Sequence, residues 1–180
     1  AWTEPEHILT NGSYQLATWE KGNQLILKRN PDYRDSITQQ PAQIEEVNYY
    51  IIPEGGTNHL AVKGCEEILT DEDRQFDVIC CAVGTGGTLS GIINSSLPHQ
   101  KIIGFPALKG AFLKQEICKF AKQSNWDLCQ DYHFGGYAKV PLNLIEFINR
   151  FKRESKIPLD PIYTGKMLFG VFDMMDKGMF

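Results

Sequence analysis

The sequence predicts an α/β fold: a parallel sheet flanked by helices, preceded by an N-terminal β-hairpin segment. Three observations predict it. Apolar runs and helix-spaced stretches alternate from Pro53 onward. A glycine-rich run, Gly84-Thr85-Gly86-Gly87, joins an apolar strand to a helix start. Ahead of both, two short apolar segments flank a turn signal.

The hairpin comes first in the chain. Tyr14-Gln15-Leu16-Ala17-Thr18-Trp19 and Leu25-Ile26-Leu27 lie either side of Glu20-Lys21-Gly22-Asn23, so strands are expected over 13–19 and 24–28. Asn30-Pro31-Asp32-Tyr33 marks a turn, and the polar stretch 34–43, with Pro41, reads as a linker or long loop. Val47-Asn48-Tyr49-Tyr50-Ile51-Ile52 is a third strand candidate. Beyond Pro53, Leu60, Val62, Ile68 and Leu69 suggest a helix over 57–69. A strand follows at 76–82, a helix at 87–95 and a short strand at 101–105. Phe112, Leu113, Ile117 and Phe120 place a helix within 110–123, and Leu144, Ile145, Ile148 and Phe151 another within 141–153. Met167, Leu168, Val171, Phe172 and Met174 give a last helix over 164–177. The strands at 76–82 and 101–105 are expected to pair in parallel through the helix between them.

Composition narrows the function classes. The 180 residues suit one domain, or one domain with a fragment, and can bury a core. A net charge of −4 gives no sign of nucleic-acid binding. No apolar run reaches the roughly 20 residues that span a bilayer. Ala1-Trp2-Thr3-Glu4-Pro5 has neither the basic start nor the apolar stretch of a signal peptide, and the larger part of the chain reads as cytoplasmic. The five cysteines, Cys65, Cys80, Cys81, Cys118 and Cys129, show no CxxC spacing, so they read as reduced thiols and not as a zinc site. His7, His59, His99 and His133 lack ligand spacing, and no metal is expected. Asp71-Glu72-Asp73 reads as a solvated loop.

Chemistry concentrates at the glycine run. A strand, a glycine turn and a helix start form an anion site: the backbone approaches closely without Cβ clashes, and the helix N-terminus offers free N–H donors at its positive end. The candidate phosphate-binding residues are Gly84, Thr85, Gly86, Gly87 and Thr88, the threonines adding hydroxyl donors.

Longer matches sharpen this. Trp2-Thr3-Glu4-Pro5, Thr10-Asn11-Gly12-Ser13-Tyr14-Gln15-Leu16 and Arg29-Asn30-Pro31-Asp32-Tyr33 make residues 1–50 resemble a fragment of a periplasmic oligopeptide-binding protein. Ile52-Pro53-Glu54-Gly55-Gly56-Thr57-Asn58, Ala82 to Thr88, Gly104-Phe105-Pro106, His133-Phe134-Gly135-Gly136-Tyr137 and Leu159-Asp160-Pro161-Ile162-Tyr163-Thr164-Gly165-Lys166 occur in order over 51–180. That set resembles the second half of the 1-aminocyclopropane-1-carboxylate deaminase and D-cysteine desulfhydrase family, pyridoxal-phosphate enzymes of the tryptophan-synthase β-type fold.

The resemblance implies an incomplete fold type II domain over 51–180, with pyridoxal 5'-phosphate held by the loop 84–88. It implies Tyr137 and Tyr163 on the substrate side as catalytic phenols, provided their pKa values are lowered. It implies Thr164 at the cofactor's pyridine nitrogen, where deaminases often carry glutamate and desulfhydrases threonine. The expected substrate is a small amino acid losing ammonia or sulfide, and a homo-oligomer is left open. The family's cofactor-bearing lysine lies in its first half, and Lys21, Lys28 and Lys63 have none of its context. The chain therefore reads as truncated, inactive alone, and joined between two unrelated pieces near 49–52. The alternatives are a peptide-binding fragment of an importer receptor, or a recombined chain without catalytic function.

Overall fold

A computed structural model describes residues 12–20 and 23–179. The chain divides into two compact units, Ala1–Pro53 and Glu54–Phe180.

The first unit is a three-stranded antiparallel sheet in the order β1 (Tyr14–Glu20), β2 (Gln24–Arg29), β3 (Glu46–Tyr50). Tyr14 pairs with Arg29 and Glu20 with Gln24, with one bulge between Leu16 and Thr18. The hairpin expected from the sequence is present; Lys21 and Gly22 at its turn lie outside the described residues. Asn30 ends β2 and is buried. Its carboxamide accepts from Gln15 Nε2 at 3.0 Å and from the Asp32 N–H at 3.1 Å, and donates to the Gly12 carbonyl at 3.0 Å. The Asn-Pro-Asp-Tyr turn is thus stitched to the strand start by one side chain. These strands form a sheet of their own and do not extend the parallel one.

The second unit carries a parallel sheet in the order β4 (Val78–Val83), β5 (Lys101–Pro106), β6 (Trp126–Leu128). Val78 pairs with Lys101 and Val83 with Pro106, the parallel arrangement expected of these two strands. Five helices accompany it: α1 (His59–Cys65), α2 (Gly87–Ser95), α3 (Phe112–Cys118), α4 (Leu142–Ser155) and α5 (Thr164–Asp176). The helix expected over 57–69 is shorter at both ends, because Asn58 caps it by accepting from the Ala61 N–H at 2.9 Å and the chain turns at Glu66. The run Asp71-Glu72-Asp73, read as solvated loop, begins a short 3-10 turn, Asp71–Gln75, closed by a capping box between Thr70 and Asp73. The short strand β6 had no sequence signal: Trp126-Asp127-Leu128 becomes a strand only by pairing with Ile102, Ile103 and Gly104.

Strand alternation sorts the core into two layers. On one face Ile102 packs with Cys81, Val83, Leu89, Ile92, Ile93, Leu113 and Ile117, which draws in α2 and α3. On the other, Ile103 and Phe105 pack with Met174, Met167, Val171 and Tyr132, which seats α5. Close approach depends on missing side chains. A Cβ on Gly104 would lie 2.6 Å from Leu89 Cδ2, and one on Gly91 would lie 2.3 Å from Cys65 Cβ and 2.8 Å from the Val62 carbonyl oxygen. The α1–α2 contact therefore needs glycine at 91. We expect Gly91→Ala to lower the unfolding free energy by about 1–3 kcal/mol, the range for overpacking a tight contact. Equilibrium urea unfolding of the two proteins checks this, and equal midpoints would show that α1 shifts without cost.

Candidate anion site and tyrosine wall

At the carboxyl end of β4 the chain leaves the sheet through Gly84, Thr85 and Gly86 and enters α2 at Gly87. Gly86 caps the helix with φ +95°, a left-handed conformation in which L side chains are strained, and a Cβ there would meet Ile117 Cγ1 at 2.7 Å. The turn is fixed from behind: the Ser90 hydroxyl donates to the Gly86 carbonyl at 2.8 Å, alongside the helical bond from the Ser90 N–H at 2.9 Å. The N–H groups of the first turn of α2 have no acceptor within the helix.

This turn lines a cavity of about 560 Å³. Gly84, Thr85, Gly86, Gly87 and Thr88 all line it. Facing them are Tyr137 and Tyr163, and the segment Glu54–Gly56 with Thr57 closes another side. Thr57 was not singled out from sequence alone, yet its Oγ1 lies 2.7 Å from Thr85 Oγ1. Either oxygen can donate in that bond, so one hydroxyl proton of the pair stays free for a further acceptor. The signal that could have found it is the run Gly55-Gly56-Thr57: a Cβ on Gly55, at φ +65°, would lie 2.4 Å from Thr85 Oγ1, so these glycines let the segment reach the loop. The Cys65 thiol also lines the cavity, and its Sγ lies 4.0 Å from Thr88 Oγ1.

The two tyrosines meet edge to face, with ring centroids 6.2 Å apart and planes at 64°. Tyr163 also covers Gly84, where a Cβ would lie 3.4 Å from the ring. Burial, then the adjacent Tyr137 phenol and the Asp160 charge, push the Tyr163 pKa up. The lowered phenol pKa that proton transfer requires is therefore not what these surroundings provide at Tyr163; it is a donor.

Asp160 sets Tyr163 in place. Its Oδ1 accepts from the N–H groups of Ile162 and Tyr163 at 2.9 and 2.7 Å, and its Oδ2 accepts from the Thr164 N–H and hydroxyl at 2.8 and 2.6 Å. Burial works to raise its pKa, but these four bonds outweigh it and hold the carboxyl below its ordinary value of 3.8. Thr164 is thus brought beside Tyr163 but bonded to Asp160, and it is not among the residues lining the cavity.

Other candidates are placed elsewhere. His133 Nδ1 accepts from the Gly135 N–H at 2.9 Å, a turn role. Burial pushes the Cys80 and Cys81 thiols up to about 11, so both stay protonated and unreactive, as their core position implied. Lys63 is exposed on α1. Among the described residues no cluster of three or more His, Cys, Asp or Glu could hold a metal, and no helix is long and apolar enough to cross a membrane.

A sheet whose strand ends open onto a glycine turn and a pair of phenols is a common setting for a small-molecule site, and the comparisons bear on which proteins this chain is similar to. The chain is similar to two archaeal proteins named "Putative 1-aminocyclopropane-1-carboxylate deaminase". The one from Pyrococcus horikoshii is 30% identical over 146 residues, which are 72% of this chain and 45% of the relative. The one from Pyrococcus furiosus is 31% identical over 150 residues, 72% and 46%. A crystal structure of an ACC deaminase homologue superposes with a TM-score of 0.64 at 28% identity, over 72% of this chain and 45% of that one. The chain spans just under half the length of the curated relatives it matches. Separately, the family of bacterial extracellular solute-binding proteins, family 5 Middle, matches residues 1–66. Both resemblances read from the sequence are therefore present. The solute-binding match runs past the division at Pro53 and ends just beyond α1.

We expect Asp160→Ala to cost about 1–3 kcal/mol of stability at neutral pH, the range for hydrogen bonds to a charged group, because it removes the acceptor that orders the turn 162–164. Because the folded-state pKa is depressed, this contribution is full above the ordinary value of 3.8 and fades as the pH falls through the lower folded value. Urea unfolding at pH 7 and at pH 2.5 checks it: the gap between wild type and variant should be largest at pH 7.

Proposed function

We propose that residues 54–180 build the phosphate-holding part of a pyridoxal-phosphate-dependent deaminase or desulfhydrase of fold type II, one that acts on a small amino acid. The observation that carries this reading is the glycine turn 84–88 on the cavity floor, opposed by Tyr137 and Tyr163.

The residues present fit the group. A Cβ at Gly87 would reach within 2.7 Å of Thr57 Oγ1, so the cradle exists only with glycine there. Unpaired N–H groups at the start of α2, with the hydroxyls of Thr85 and Thr88, suit a phosphate dianion. Pyridoxal phosphate, when bound, supplies an electron sink for charge developing at the substrate's α-carbon. The chain supplies the rest. The loop fixes the phosphate, and with it the position of everything attached. Tyr163, kept protonated by burial and by the Tyr137 phenol, donates to a substrate carboxylate or leaving group. The Thr164 hydroxyl donates to Asp160 Oδ2 and accepts from the Asp160 N–H, which orders the turn that carries Tyr163.

No lysine is among the residues lining the cavity. Covalent capture of a carbonyl needs an amine that is neutral when it attacks, and exposed lysines, with a pKa near roughly 10.4, stay charged. We therefore propose that the 180-residue chain holds the cofactor's phosphate but does not turn over substrate by itself.

A second reading is supported by the match over residues 1–66: a piece of a solute receptor that binds short peptides. Calorimetry with short peptides addresses that part, and phosphate titration addresses the other.

Two outcomes are expected. Gly86→Val should weaken inorganic phosphate and pyridoxal phosphate by about tenfold or more, ~1.4 kcal/mol, because valine disfavours a positive φ and collides with Ile117. Equal affinities in two folded proteins would sink the phosphate assignment. The purified chain with added pyridoxal phosphate should release no more ammonia or sulfide from 1-aminocyclopropane-1-carboxylate or D-cysteine than the free cofactor does. Turnover well above that background, lost on Gly86→Val, would overturn the claim of inactivity.

A further inference from the structure

Among the described residues the buried cation is Lys166, in the first turn of α5 and 2% exposed. It does not line the cavity, and among the described residues it has no ion-pair partner. Its Nζ donates instead to two main-chain carbonyls of one turn, His133 at 3.0 Å and Gly136 at 2.8 Å. An ammonium held by neutral carbonyls is costly to bury and is retained only where the geometry it fixes matters. Burial accordingly pulls its pKa down.

The turn it grips needs holding. Phe134 and Ala138 adopt φ +54° and +56°, left-handed values uncommon for residues with a side chain, and Gly135 and Gly136 between them have φ +92° and +119°. Such backbone persists where surrounding contacts over-determine it. The contacts come from one stripe of α5. Lys166 binds the two carbonyls, and Phe169 meets the Phe134 ring edge to face at 5.0 Å. Gly170 leaves room for the Tyr132 ring, which a Cβ would meet at 2.7 Å, and Asp173 accepts from the Tyr132 hydroxyl at 2.6 Å. Positions 166, 169, 170 and 173 follow the i, i+3, i+4, i+7 spacing of a single helix face. Tyr163 stands at the start of this same helix, and Tyr137 is the next residue after Gly136.

We propose that Lys166 is a positioning residue for the tyrosine wall: by clamping the 133–136 turn to α5, it fixes the spacing and facing of Tyr137 and Tyr163. The functional meaning rests on the reading that this wall faces a bound substrate. Lys166 itself touches neither cavity nor substrate.

The test uses the full chain. In wild type, NMR should show cross-relaxation between the Tyr137 and Tyr163 rings, and Tyr163 should titrate above free tyrosine. Folded Lys166→Met, similar in length but without donors, should lose the ring–ring signal. Its Tyr163 should titrate closer to free tyrosine, while inorganic phosphate affinity at the loop changes less than twofold. Lys166→Arg, which keeps cation and donors, should recover part of the signal. A folded Lys166→Met with the wild-type ring contact and titration overturns the proposal. Should that variant fail to fold, the wild-type protein decides. Slowly exchanging Lys166 Nζ protons, coupled across hydrogen bonds to the His133 and Gly136 carbonyl carbons, support the clamp; rapid exchange without coupling overturns it. Failure of the wild type to bind pyridoxal phosphate, measured separately, would count against the proposed function and leave these tyrosine readouts to judge Lys166.

Discussion

The parallel pairing of β4 with β5 is the constraint on which the second unit depends. Two adjacent strands running the same way must be joined by a connection that crosses the sheet, and here that connection is α2. Both strands then end at the same edge, so the turn after β4 and the segment after β5 open side by side. Leu108, just beyond β5, accordingly joins the loop residues in the cavity wall. Ligand sites at the carboxyl ends of parallel strands are a general result of this geometry. Here it requires α2 to lie close on the sheet, which the absent side chain of Gly104 permits beneath Leu89. Ile93 and Ile102, both fully buried, seal that contact.

On the proposed reading, an anion in the cavity is held by dipoles and not by charges. No Lys or Arg lines it, and its one ionisable carboxylate is Glu54, whose sign opposes an anion. What remains is the partial positive end of α2, equivalent to about half a charge, and the loop N–H and hydroxyl groups. Dipoles of this kind act over one helical turn and depend on orientation, so the fixed backbone at Gly86 matters more than any added cation would. A site built this way distinguishes a phosphate from a carboxylate by the number of convergent donors. That favours loop 84–88, with the Thr57–Thr85 pair beside it, over a simple helix end.

Strong local patterns made much of this architecture legible in the sequence. The hairpin, the parallel pair of strands and the four later helices follow from apolar spacing, and the turn between β4 and α2 from its glycines. What stayed hidden was set by tertiary contact. The strand β6 is three residues long and exists through its pairing with β5. The clasp between Thr57 and Thr85 joins residues 28 apart. The roles of Lys166 and Asp160 were equally invisible: a lysine and an aspartate near helix ends suggest solvated charge, and only the folded chain shows one gripping a turn and the other ordering Tyr163. The raised pKa of Tyr163 belongs to the same class, since it arises from burial and from a neighbour 26 residues away in sequence.

The two units differ in what holds them. Among the described residues, every buried hydrophobic one belongs to the second unit, whereas the one buried residue of the first is Asn30. The described strands of the first unit rest on their backbone ladder, the Asn30 network, the Lys28–Glu46 and Arg29–Glu45 ion pairs and half-buried apolar side chains such as Leu16 and Ile26, with Tyr49 and Tyr50 of β3 exposed. A small sheet that buries little apolar surface has a weak drive to fold, because ladder hydrogen bonds largely replace bonds to water. The second unit has two apolar layers on either side of one sheet, and apolar burial is the dominant favourable term in folding. The cavity is therefore placed by elements packed on these two apolar layers. The loop, the tyrosines and the α5 clamp all draw on that layered core.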